Sequence, residues 1–174
     1  MADLAGVPLS QIHYHFGGKH GILLALLERE NEQLLRRQRA MYVRDAPLWR
    51  RYAQACDFLE DDMASGYVRL LQEMIAAGWA DAQMAERVSA VLAGWRATLA
   101  AVAADVEPAL GGYGPFTAEE VEDLVFLAHL GAESLLMLGR DPAEQSRLMR
   151  ALRRVGDAIR LAENAVVPTR GATA

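Results

Sequence analysis

The chain is predicted to be all-α. Three observations predict this: apolar residues recur at intervals of three and four along its length, no convincing stretch alternates apolar with polar as an amphipathic strand would, and helix-capping residues stand where the apolar runs begin. With 174 residues and 52% hydrophobic content, the chain can bury a substantial core.

The elements follow in order. A short helix closing at Ala5, a glycine turn at Gly6-Val7 and a second short helix from Pro8 to Phe16 have the layout of a helix-turn-helix. One long helix follows from about His20 to Val43. Asp45 with Pro47 restarts the chain into a helix through Trp49, Tyr52, Cys56 and Leu59, which breaks at Ser65-Gly66 before "YVRLLQEMIAAGW". Asp81 caps a long helix whose apolar face is Met84, Val88, Val91, Trp95, Leu99, Val102 and Val106, ending in "GGYGP" at residues 111–115. Thr117 with Glu120 three residues on makes a capping box and opens a helix to Gly139. Asp141 caps the last helix, with Pro142 at its first position and Glu144 completing the box; Leu148, Leu152, Val155, Ile159, Ala162 and Val166 form its seam. Residues 168–174 read as a frayed tail.

Charge divides the chain unevenly. Residues 1–44 carry six Lys and Arg against four Asp and Glu, whereas the rest carries twelve against nineteen, so a weakly basic N-terminal piece sits on an acidic body. No secretory leader pattern opens the sequence, and His129 and Glu133 interrupt the best candidate for a membrane span, which points to a cytoplasmic protein with no membrane partner. A single cysteine, Cys56, excludes an internal disulfide and a cysteine-based zinc site. The chain has no Glu-x-x-His pair, His-Glu-x-x-His helix, phosphate-binding glycine loop or nucleophile elbow, so neither a catalytic residue nor a metal or cofactor is expected. The run Glu60-Asp61-Asp62 reads as a solvated face.

The second short helix carries Ser10, Gln11, His13 and Tyr14 as hydrogen-bonding groups, with Val7, Ile12 and Phe16 on its apolar side. Such a face suits base edges and phosphates, although glycine-turned helix pairs also occur in plain helical bundles. The order "AGV", "IHYHF", "GGK", then the apolar "GILLALL" resembles the TetR-type family of bacterial transcriptional regulators. His13 departs from the tyrosine usual there. The resemblance implies that Leu9, Ser10 and His13 face base edges and that Gln11, Tyr14, His15 and Lys19 contact phosphates. Lys19 beside a helix N-terminus opposes the helix dipole, a conflict that a bound phosphate relieves. Phe16 is expected in the helix-packing core. The family has a further helix ahead of this motif, and Met1 falls inside the second, so the helix-turn-helix reads as partial, leaving Met1, Leu4, Ile12 and Phe16 uncovered. Either the start lies upstream or DNA binding has been lost.

The body is rich in adaptable apolar groups that can wall a cavity: Trp49, Tyr52, Cys56, Phe58, Met63, Tyr67, Met74, Trp79, Met84, Trp95, Phe126 and Met137. His129 and Glu133, one turn apart on an apolar helix, are its candidate polar anchors, or else a hydrogen-bonded pair in the core or at an interface. The resemblance implies that the last two helices pair with their mates in a homodimer, through Leu124, Ala128, Gly131 and Leu135 on one and Leu148, Leu152, Val155 and Ile159 on the other. The expected organisation is a partial DNA-binding unit with its linker helix over residues 1–43 and a helical ligand-binding and dimerisation bundle over residues 44–167. The expected function is a ligand-responsive homodimeric regulator, acting as a repressor on a palindromic operator and released by a small apolar effector. The alternative is a dimeric interaction module that no longer binds DNA.

Overall fold

The computed structural model describes residues 8–43, 45–139 and 141–166, leaving out the side chains of Leu9, Ile12, His13 and Val166. The Gly6-Val7 turn, the helix before it, the exposure expected of Met1, Leu4 and Ile12, and the C-terminal tail lie outside this description. Among the described residues the fold is all-α: α1 Leu9–Phe16, α2 Lys19–Tyr42, α3 Leu48–Ser65, α4 Tyr67–Gly78, α5 Ala82–Leu110, α6 Ala118–Leu138 and α7 Pro142–Val166.

The core is organised on α2. Its residues Leu24, Leu27, Asn31, Leu34, Gln38 and Met41 recur at alternating intervals of three and four, and all are buried. This seam meets Leu59 of α3, Val68, Leu71 and Met74 of α4, and Met84, Val88 and Val91 of α5. Helix α6 packs on α5 and contributes Leu136 to the same core, while α7 lies along α3. The contact between α3 and α7 is close at Gly156, where an added Cβ would come within 3.4 Å of the Tyr52 ring and 3.7 Å of the Trp49 carbonyl.

Most caps form where the sequence places them. The Asp81 carboxylate accepts the N–H groups of Gln83 and Met84, and Thr117 and Glu120 form the reciprocal capping box. Asp141 accepts from the N–H of Ala143, but the Glu144 carboxylate pairs with Arg147. Helix α3 is capped across the fold. Its N-cap position is Pro47, which has no side-chain acceptor, and the Glu163 carboxylate of α7 takes the N–H groups of Leu48 and Trp49 at 2.7 and 3.2 Å. Asp45 does not supply this cap, because the acceptor that reaches the free N–H groups lies 115 residues downstream of Leu48.

Three further expectations change. Phe16 is 45% exposed, since α2 covers only one side of the short α1. Asp62 turns inward on the face shared with Tyr52 and Leu59 and is held by Arg37 at 2.6 and 2.7 Å, unlike its exposed neighbours Glu60 and Asp61. And α5 is long and apolar enough by composition to cross a membrane, with a mean window hydropathy of 1.2. It nevertheless carries Arg87 and Arg96, which pair with Glu28 and Glu122, and it packs against α2, α4 and α6.

Because Glu163 replaces a local cap, Glu163→Ala should destabilise the protein by about 1 kcal/mol, seen in urea denaturation as a lower midpoint at unchanged slope. An unchanged midpoint would show that the two N–H groups are equally well served by water.

Candidate functional site

Five helices enclose a narrow cavity in the body. Leu34, Gln38 and Tyr42 of α2 form one wall, and Val125, Phe126, His129, Leu130 and Glu133 of α6 form another; Tyr52, Leu59, Asp62, Tyr67, Leu71 and Trp95 close it from α3, α4 and α5. The centres of water-sized molecules have about 60 Å³ in it, several times the roughly 10–15 Å³ that one water needs. A wider and more open groove of about 570 Å³ lies beyond Tyr42, between the end of α2 and α5. Its charged lining, Arg39, Arg51, Asp45 and Asp105, is of mixed sign, so the enclosed cavity with its convergent polar groups is the better site.

Glu133 is the most perturbed acid on this wall. Burial away from water pushes its carboxyl up from 4.5 to about 7; a long hydrogen bond from the Gln72 amide, 3.4 Å, works against that shift, and the Asp62 carboxylate reinforces it. Among the described residues no arginine or lysine pairs with it. One turn earlier, His129 is held neutral because burial pushes its pKa down. Its Nδ1 lies 2.9 Å from the Val125 carbonyl and donates to it, which leaves Nε2 as an acceptor. The Tyr52 ring meets the imidazole edge to face, with centroids 6.1 Å apart, and the Tyr52 hydroxyl donates to the Leu152 carbonyl. Tyr67 donates to the buried Asn31 at 3.0 Å. On the opposite wall Gln38 is 2% exposed, and its Oε1 has no hydrogen-bond partner.

Comparison with family models, with curated proteins and with solved structures finds no match to this chain. The site is therefore read from its own chemistry.

Of the residues expected at a pocket, Tyr52, Tyr67, Trp95, Phe126, His129 and Glu133 come together on the cavity. Phe58, Met63, Met84 and Met137 do not line it, nor do Trp49, Cys56, Met74 and Trp79. Trp49 lies at the start of α3 under the guanidinium groups of Arg50 and Arg160, 5.1 and 5.8 Å from its ring. Cys56 and Met74 are packed inside the core, each 1% exposed, and burial pushes the Cys56 thiol up. Trp79 is 84% exposed, because α4 ends at Gly78 in a tight turn against Ala85 that directs the next side chain outward. Periodicity alone did not single out Gln38, Tyr42 or Asp62. A polar residue inside the α2 seam was a usable signal for Gln38; Tyr42 and Asp62 carried none beyond helical position.

The expected interface residues also divide. Leu124, Ala128, Gly131 and Leu135 are exposed on α6, together with Leu127 and Leu138, and form one apolar stripe. On α7, Val155 is 44% exposed and Ile159 half-buried. Leu148 and Leu152 instead pack on the protomer's own core, because α7 leans on α3 and α5. At the N-terminus Ser10, Gln11, Tyr14, His15 and Lys19 are all exposed, and the side chains of Leu9 and His13 lie outside the description.

The sign of the Glu133 contribution follows from its raised pKa. The group favours the fold fully below about 4.5, and that stability is lost as pH rises through 7. Glu133→Gln should therefore be more stable than the parent by about 2 kcal/mol at pH 8 and nearly equal to it at pH 5, read by thermal denaturation at both. An increment independent of pH would mean that Glu133 is not held as the acid.

Proposed function

We propose that this chain is a ligand-responsive, homodimeric DNA-binding regulator of the TetR type, acting as a repressor. The observation that carries the reading is the course of α2. It begins at Lys19, beside the polar face of α1, and ends with Gln38 and Tyr42 in the cavity wall. One rigid element thus joins a DNA-facing surface to an enclosed site.

The start of α2 suits a phosphate. Gly18 supplies no side-chain cap, the first turn holds no acidic residue, and Lys19 is exposed, so the free N–H groups and the ammonium are available to one anion. Helix α1 is set close against α2: a Cβ at Gly21 would collide with the Phe16 carbonyl, so glycine permits this approach. Ser10, Gln11, Tyr14 and His15 then form an exposed polar surface for the groove and its backbone.

Dimerisation is supported by the α6 stripe. Leu124, Leu127, Leu135 and Leu138 are 50 to 77% exposed on a single face, with Ala128 and Gly131 between them allowing close approach. Two such protomers would place two α1 helices about 34 Å apart, one turn of DNA. An apolar effector that prefers the dimer shape with a different spacing lowers operator affinity by that preference, typically about 1 to 3 kcal/mol. The exposed Phe16 favours a second reading, in which the dimer binds its ligand and α1 docks a protein surface instead of DNA.

Two measurements test the regulator. Against an operator selected from random duplex DNA, Lys19→Ala should weaken binding several-fold and lower the salt slope by about one; failure to select any sequence would favour the second reading. Sedimentation equilibrium of Leu127→Asp/Leu135→Asp should give a monomer where the parent is a dimer. A dimeric double variant would place the interface elsewhere.

A further inference from the structure

The cavity wall holds a half-buried carboxylate that, among the described residues, has no cation paired with it. Glu133 has the Gln72 amide at 3.4 Å as its side-chain partner; Asp62 of α3 and Tyr67 of α4 are coupled to it electrostatically, and His129 lies one turn earlier on its own helix. None of these is a cation. Arg37 of α2, the cation paired with Asp62, is committed to it through two short bonds and stacks over Phe58 at 4.2 Å. On the α2 wall the Gln38 Oε1 is a buried acceptor without a donor. The His129 Nε2 is a further acceptor on the α6 wall, since Nδ1 is used on the Val125 carbonyl. Of the three tyrosine hydroxyls on the cavity wall, Tyr52 donates to the Leu152 carbonyl and Tyr67 to Asn31; Tyr42 is the third.

From this inventory we infer that the cavity takes a lipophilic amine, its ammonium seated on Glu133, a further N–H or O–H reaching Gln38, and its apolar body against Tyr52, Trp95 and Phe126. The inference rests on the reading of the cavity as an effector site. The alternatives fit the polar groups less well. An anion would meet Glu133 and Asp62, and no arginine or lysine among the described residues lines the cavity to receive it. A hydrocarbon would leave every acceptor unpaired in a dry site, where each carries a desolvation cost. A neutral alcohol supplies one donor but leaves the carboxylate charge unanswered. An ammonium answers both and gains from the aromatic faces around it. Because Gln38 belongs to α2 and Glu133 to α6, an occupant that bonds both ties the helix leading to Lys19 to the helix bearing the exposed stripe.

The test uses the full chain without DNA. Isothermal titration at neutral pH compares phenethylamine, phenethyl alcohol and phenylacetate, which share a ring and differ in charge, on the parent and on Glu133→Gln, with circular dichroism confirming that both are folded. The amine should bind the parent at least about tenfold more tightly than the alcohol, with phenylacetate weakest, and Glu133→Gln should bring amine and alcohol to within about threefold of each other. An amine no tighter than the alcohol, a preference that survives Glu133→Gln, or no binding of any of the three at millimolar concentration would overturn the inference. The regulator reading fails separately: amine binding as expected by a protein that selects no operator removes that reading and leaves the ligand assignment standing.

Discussion

The alternation of three and four along α2 is the constraint from which the rest of this molecule follows. Leu24, Leu27, Leu34 and Met41 form an apolar edge interrupted by Asn31 and Gln38, so α3, α4 and α5 must each present an apolar face to the same helix if that edge is to leave water. A single central helix then packs against α1, α3, α4 and α5. The cavity lies at Gln38, the second of the seam's two polar positions, where the large rings of Tyr52, Trp95 and Phe126 leave a gap that aliphatic side chains do not fill.

Polar groups inside this bundle fall into two kinds. Asn31 and Tyr67 satisfy one another at 3.0 Å, and Glu122, 4% exposed, is held by Arg96, which also pairs with Asp123. Those groups fix the register of α2 on α4 and of α5 on α6. Glu133 and the Gln38 carbonyl are different, since burial has removed their water without providing a full set of partners. That contrast within one core sets the cavity wall apart from polar residues that hold helices in place.

The outer faces show a similar division. The salt bridges of Arg87 with Glu28 and of Arg153 with Asp57 and Glu60 lie at the exposed margins of helix pairs, where such bonds contribute about 0 to 1 kcal/mol each. The face of α6 that carries Leu124, Leu127, Leu135 and Leu138 has no such charges and stays apolar. A helix with apolar residues on two sides can bury only one of them within its own bundle.

The sequence by itself determined the elements: their period set the helices, and Asp81, Thr117 with Glu120, and Asp141 marked three of their starts, because capping and amphipathicity act over three or four residues. It also picked out Tyr52, Trp95, Phe126, His129 and Glu133, since bulky rings and polar residues on apolar faces stand out locally. Tertiary structure alone decided the rest. Whether Trp49 or Tyr52 reaches the cavity depends on how α7 lies over α3, and whether Leu148 or Leu124 is left exposed depends on which side of each helix the bundle covers first. The cap that Glu163 places on α3 and the inward turn of Asp62 toward Arg37 join residues 115 and 25 positions apart. Helical periodicity gives the angle of a side chain around its own axis, but the identity of its neighbour is settled only when the axes are packed together.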